Sequence, residues 1–208
     1  MRQGNIVIKG KFIVLTAVVF VLALQGISAG GTGEKQAASA VKIQGIVQYL
    51  EGDVTINGKP ADFGSSISEG SEVRTGPGSL ADIVLNEKNI IRLSENTVAV
   101  ISIGELSKRV DLKSGTFSGI FAKLEAIAGS DKLEVRTPTA VAGIRGTTFF
   151  VKVIDSNNTY VCDCNGTVSF RDAMAVEQFE TSAPKHEAFL FTRAGQGIAV
   201  SDAGGEFH

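Results

Sequence analysis

The stretch Leu133-Glu134-Val135-Arg136-Thr137-Pro138-Thr139-Ala140-Val141-Ala142-Gly143-Ile144-Arg145-Gly146-Thr147-Thr148-Phe149-Phe150-Val151-Lys152-Val153 constrains this chain more than any other. It opens on strict alternation. Leu133, Val135 and Thr137 fall on one side, and Lys132, Glu134 and Arg136 on the other. A period of two with one charged side predicts a half-buried strand. Pro138 has no N–H to donate and ends that ladder. Gly143 and Gly146 bracket Arg145, where the backbone is free to bend or to pack closely. From Thr147 the alternation resumes, apolar on nearly both sides, with Phe149, Val151 and Val153 against Phe150 and Ile154. That pattern predicts a strand in the middle of a core. The expectation is a polar-faced strand, a tight Gly-Ile-Arg-Gly corner, and a core strand.

The spacing V-x-T-P-x-A-x-A-G-I-R-G-T-x-F, from Val135 to Phe149, resembles the signature of the FecR domain, named for a bacterial envelope regulator of iron uptake. A looser likeness runs from about Gly45 to Val200. The resemblance implies an all-β fold and a role in protein interaction outside the cytoplasm, without catalysis. It gives Thr137, Pro138, Ala140, Gly143, Arg145, Gly146, Thr147 and Phe149 as motif residues, read as structural. Full-length regulators of this family carry a cytoplasmic anti-sigma region before the membrane segment. Here about eleven residues precede the apolar run, too few to fold. The expectation therefore covers the extracytoplasmic module alone.

The N-terminus sets the expected compartment. Arg2, Lys9 and Lys11 precede an apolar run from Phe12 to Leu24, and Gly26, Ser28 and Ala29 follow. This is the order of a secretory signal peptide. The run spans about 20 Å as a helix, short of the roughly 30 Å hydrocarbon core. Residues 1–29 are read as a signal peptide cleaved near Ala29. The alternative is an uncleaved N-terminal anchor, since 12–29 is marginally long enough to span. Residues 30–40 are small and polar and read as a linker. Residues 41–200 form the expected β domain, and 201–208 a disordered tail. Removing residues 1–29 removes three positive charges and no negative ones, taking the formal charge from −2 to −5. An acidic mature chain lacks the basic surface that nucleic acid or anionic lipid requires. Membrane contact is expected only through the N-terminal segment if it stays uncleaved.

Along the domain, the spacing V-x-x-x-x-G-x-[VF] occurs three times: Val47, Gly52, Val54; Val110, Gly115, Phe117; Val161, Gly166, Val168. Each places a polar-Gly pair between apolar runs: Glu51-Gly52, Ser114-Gly115 and Asn165-Gly166. Such pairs suit two-residue hairpin turns, so three hairpins are expected. Alternation over Ala81–Leu85, Ile91–Leu93 and Val98–Ile103 adds strands. Phe189 and Phe191, with Ile198 and Val200, frame a Gly turn at 194–197 as two closing strands. Residues 119–128 have helical spacing but are too short to decide. Turn signals every 8–12 residues indicate short, mostly antiparallel strands in a single domain. A β-sandwich or roll and a β-solenoid all fit, and periodicity does not choose among them.

Catalytic patterns are missing from the sequence. It has no H-E-x-x-H or Walker loop, its one G-x-S-x-G string (Gly26 to Gly30) falls at the end of the expected signal segment rather than between a strand and a helix, and its two histidines are His186 and His208. No enzyme activity and no cofactor are expected. The exception to weigh is Cys162-Asp163-Cys164, where period two puts both thiols on one side of a strand. One reading is a pair of small core residues. Another is a disulfide or redox pair, although residues i and i+2 of a strand lie about 6.5–7 Å apart at Cα, the limit for bridging. Two thiolates with no histidine close in sequence fall short of four-coordinate zinc. Arg145 is read as tying together carbonyls left unpaired by Pro138 and the corner. The alternative is that it clamps a carboxylate of a ligand or partner.

The sequence thus points to an exported, extracytoplasmic interaction module in envelope signalling or scaffolding, with an unidentified protein partner in the cell envelope. The rival is an extracytoplasmic thiol redox or metal-binding protein using Cys162 and Cys164. A third reading is a structural surface protein with no sensing role.

Overall fold

The computed structural model describes residues 45–85, 89–103, 108–121, 133–174, 178–183 and 186–204. The signal segment, the linker and most of 119–128 lie outside the described residues. The chain is all-β. The strands are β1 (Gly45–Glu51), β2 (Val54–Ile56), β3 (Lys59–Pro60), β4 (Ser66–Ile67), β5 (Ser71–Thr75), β6 (Leu80–Leu85), β7 (Asn89–Leu93), β8 (Val98–Ile103), β9 (Lys108–Ile120), β10 (Leu133–Arg136), β11 (Ala140–Asp155), β12 (Asn158–Asp172), β13 (Gln178–Ala183), β14 (Glu187–Ala194) and β15 (Gly197–Asp202). They join in one continuous open sheet, in the order β15-β14-β12-β11-β10-β9-β7-β6-β1-β4. β13 also pairs with β12, and a branch of β8, β5, β2 and β3 leaves from β9. Among the described pairs only β10–β9 is parallel.

Three strands are long: β9 has 13 residues, β11 has 16 and β12 has 15. These three depart from the expectation of short strands, which the other strands meet. The reason lies in the three Gly pairs, none of which is a hairpin turn. Ser114-Gly115 sits inside β9. Its first half pairs with β8 and β10, and its second half with β7 and β11. Asn165-Gly166 sits inside β12, which passes there from β14 to β13 while keeping β11 alongside. Glu51-Gly52 separates β1, paired with β6, from β2, paired with β5. The repeated spacing therefore marks bends at which the chain exchanges neighbours and the sheet changes course.

Glycine is needed at these bends for two reasons. Gly115 has φ +83° and Gly166 has φ +128°, in the region L side chains rarely adopt. There is also no room: a Cβ on Gly115 would lie 2.4 Å from Thr97 Cα, and one on Gly166 would lie 2.7 Å from Thr147 Cβ. At Gly52 the near neighbour is Ser79. A hydroxyl residue thus fills each bend. The backbone N–H after the glycine bonds it in two cases, Asp53 to Ser79 Oγ at 2.8 Å and Thr116 to Thr97 Oγ1 at 2.9 Å.

Genuine tight turns lie elsewhere. Asn57 (φ 51°) and Gly58 (φ 75°) join β2 to β3, and Gly195 opens the β14–β15 turn as expected. β15 continues through Asp202, into the segment expected as a tail. One apolar core runs through the folded sheet, from Val47, Ile83 and Ile91 to Phe117, Phe149 and Phe191. Phe170 is its aromatic centre, with ring centroids 6.2 Å from Phe149, 5.3 Å from Phe179 and 5.5 Å from Phe189.

Candidate functional site

The motif turn is built as its residue types dictate. β10 alternates as expected, with Leu133 and Val135 buried and Arg136 exposed. Pro138 falls between β10 and β11, which then pair antiparallel. The turn is closed by the Thr137 N–H on the Ala140 carbonyl at 2.8 Å. Thr137 Oγ1 accepts from the Ala140 N–H at 2.9 Å. A chain of hydroxyls supports it from the neighbouring strand: Thr139 donates to Thr159 at 2.7 Å, and Thr159 to Thr137 at 3.1 Å. Thr139 and Thr159 are fully buried.

The Gly-Ile-Arg-Gly segment is not a corner between two strands. β11 runs through it, with an irregular register between Arg145 and Thr148 and Gly146 at φ 62°. There β11 passes from β10 to β9. Ala140 and Phe149 are buried and Gly143 is half-buried.

Arg145 departs from expectation. It is exposed, and among the described residues it bonds no carbonyl and forms no ion pair. The strand's alternation explains this, because Ile144 turns into the core and Arg145 must then turn out. The carbonyl of Pro138 is bonded by Arg193 Nη2 at 2.9 Å instead.

Thr147 links the motif to the second feature of interest. Its hydroxyl lies 3.0 Å from Asp163 Oδ1 and within reach of the Asn165 carbonyl. Asp163 is fully buried, and its other oxygen accepts from Thr181 Oγ1 at 2.8 Å. Two hydroxyls thus solvate a carboxylate that water does not reach. With Asp163 held on the core side, Cys162 and Cys164 emerge together on the opposite side of β12.

On that side Cys162 is buried and Cys164 half-buried, both as free thiols with their sulfurs 3.5 Å apart. They do not join the main core. Cys162 packs with Tyr160 and Ala188 in a separate small cluster, flanked by Phe150, Cys164 and Ala203. Phe150 meets Tyr160 edge-on at 6.0 Å. The C-terminal residues fasten this patch. The Ala203 N–H bonds the Ala188 carbonyl at 3.0 Å, and Tyr160 donates to the Gly204 carbonyl at 3.2 Å.

A histidine completes the group, contrary to the sequence expectation. His186 Nδ1 lies 3.5 Å from Cys162 Sγ, and the three donor atoms all fall within 4.8 Å of one another. The β12–β14 ladder explains why. Cys162 faces Ala188 and Asp163 faces Glu187, so the next step of the register sets Cys164 opposite His186. Linear spacing hides this, because β13 intervenes between the cysteines and the histidine. Hydrogen bonding with Cys162, aided by the nearby His186, draws the Cys164 thiol down to about 7 despite partial burial. The same bond, together with burial, pushes Cys162 up. Cys164 is therefore the thiol of the pair that ionises first.

Comparison with known proteins agrees with the motif. The family model described as "FecR protein" matches residues 71–169. This span starts at β5 and ends inside β12, so it includes both cysteines and excludes His186. Two crystal structures, at 1.65 and 2.50 Å, of a protein provisionally assigned as an anti-sigma factor from Parabacteroides distasonis are similar in fold. Each is 16% identical with a TM-score of 0.50, covering 63% of this chain and 59% of that chain. The present chain thus matches little more than half the length of those solved relatives. No curated protein matches it. The Thr-Pro turn, the irregular Gly-Ile-Arg-Gly segment and the buried Phe149 all lie within residues 71–169, the part of this chain that is similar to the FecR family.

Proposed function

We propose that this protein is a regulator in envelope signalling whose FecR domain acts outside the cytoplasm by binding a protein partner, without catalysis. The observation that carries the reading is an apolar row on the outer side of the sheet. Register places Ile46 opposite Val84, Val84 opposite Ile90, and Ile90 opposite Ile120, across β1, β6, β7 and β9. Ile46 is 47% exposed, Ile90 39% and Ile120 59%. Neighbouring strands lie about 4.8 Å apart, so the row forms one continuous apolar band. A polar row adjoins it, in which Arg92 and Asp82 form a two-pronged ion pair at 2.6 and 2.7 Å. An apolar centre beside a polar rim is the usual anatomy of a protein interface.

Export, a periplasmic or secreted location and the lack of a cofactor belong to the same reading. They are supported by the signal-like N-terminus and by the FecR match. The test is capture of partners from envelope extracts by three forms of the protein: wild type, Ile90→Asp with Ile120→Asp, and Phe63→Ser. Phe63 is 78% exposed and lies off the row. A partner lost only with the double variant, while circular dichroism stays unchanged, supports the reading. Identical capture by all three forms refutes the apolar row as the interface.

A further inference from the structure

We propose that Cys162, Cys164 and His186 form a binding site for one zinc(II) ion, with a fourth coordination position left for water or a ligand from outside the chain. A tetrahedral zinc ion with Zn–S bonds of about 2.3 Å and a Zn–N bond of about 2.0–2.1 Å holds its sulfurs about 3.8 Å apart, and sulfur and nitrogen about 3.6 Å apart. The sulfurs here are 3.5 Å apart, and Cys162 Sγ and His186 Nδ1 are also 3.5 Å apart. Two of the three donor edges therefore already match a shared ion, and the third, Cys164 to His186, lies within 4.8 Å, to be closed by rotation of the exposed imidazole. A disulfide needs its sulfurs at about 2.05 Å, and residues i and i+2 of an extended strand sit at the limit of that reach. β12 is extended here and held on both sides, by Phe150 in β11 and Ala188 in β14. The scaffold thus resists closure of the disulfide while keeping both sulfurs facing the same space.

The surroundings favour a metal over free ions. Phe150, Tyr160, Ala188 and Ala203 make the patch apolar. Two adjacent thiolates there would repel one another with little water to solvate them, whereas on a divalent ion they form a neutral unit. On binding, the two thiols lose two protons to solvent, the imidazole binds through its unprotonated Nδ1, and no electron is transferred. Two sulfurs and one imidazole nitrogen select zinc or copper(I) over magnesium or calcium, and three such ligands with a fourth position open suit tetrahedral zinc. His186 is exposed, so an ion can enter from its side.

The experiment uses the full chain, reduced and stripped of metal, titrated with Zn(II) against a chromophoric chelator. Co(II) serves as a spectroscopic stand-in for sulfur ligation. One ion should bind per chain, with sulfur-to-cobalt charge transfer in the Co(II) form. Cys164→Ser and His186→Ala, both on the accessible side, should each weaken zinc by about tenfold or more while the fold persists by circular dichroism. Four outcomes overturn the proposal. They are no zinc uptake by reduced protein, unchanged affinity in His186→Ala, uptake of copper(I) without zinc, and a Cys162–Cys164 disulfide that re-forms in air even with zinc present. None of them depends on whether Ile90 and Ile120 contact a partner.

Discussion

Thr159 stands at the centre of a relay of hydroxyls in which each group donates once, from Thr139 through Thr159 and Thr137 to the Ala140 carbonyl. Thr159→Val keeps the shape but leaves the buried Thr139 proton without an acceptor. It should cost about 1–3 kcal/mol, read as a lower denaturant midpoint. Arg145→Ala should move that midpoint by less than about 0.5 kcal/mol, because the side chain is exposed and unbonded among the described residues. A large loss in Arg145→Ala would contradict the observed placement. Glu134 contributes on the acid side. Burial raises its pKa, but the hydrogen bonds and charges of Arg136 and Arg171 outweigh that and hold it below the ordinary carboxylate value. A depressed carboxylate stabilises the fold above its unfolded pKa, about 4.3, and that contribution fades as pH falls through the folded value. Unfolding measured in steps from pH 6 down to pH 3 should therefore show a steeper acid loss in wild type than in Glu134→Gln.

The bends are the next scale up. Gly115→Ala combines a left-handed backbone, costing about 1–2 kcal/mol, with a clash against Thr97 backbone that adds about 1–3 kcal/mol. Gly195→Ala has the same handedness (φ 62°) but nothing within 4 Å of the new methyl, so only the first cost applies. Thermal unfolding of the pair separates conformational strain from crowding, and equal losses would mean that the close approach at Thr97 is not real. These bends also mark where the sequence could and could not be read. Alternation disclosed β6, β10 and the β14–β15 hairpin, because each is short and pairs with a strand near it in sequence. The pairs Ser114-Gly115 and Asn165-Gly166 were misread because a positive-φ glycine serves a hairpin and a strand bend equally well. What differs is whether the next strand folds back, and no local residue reports that. His186 escaped for the related reason that its partner cysteines lie 22 and 24 residues away, across β13. Arg145 was misassigned because flanking glycines suggested a corner, while the alternation through Ile144 actually continues.

At the scale of the whole molecule, two predictions address boundaries and support. Intact-mass analysis of exported protein should show loss of about 29 residues if the N-terminal segment is a signal peptide. A full-length mass in the membrane fraction would support the anchor instead. Truncation after residue 202 removes the Gly204 carbonyl that Tyr160 bonds and the Ala203 N–H that bonds Ala188. It should expose the thiol patch and speed Cys162 alkylation, which a timed labelling experiment reads directly. The paired β11 and β12 strands carry a further consequence. At about 3.3 Å per residue they run for roughly 50 Å side by side, longer than any other ladder in the sheet. A tension applied along either half of that pair, on one side of the irregular step at Gly146 and Gly166, shears that half's hydrogen bonds together, so none yields before its neighbours. A pull that parts β14 from β15 at their open end breaks bonds one after another. The molecule is therefore mechanically anisotropic, stiff along its central pair of strands and compliant at its C-terminal hairpin.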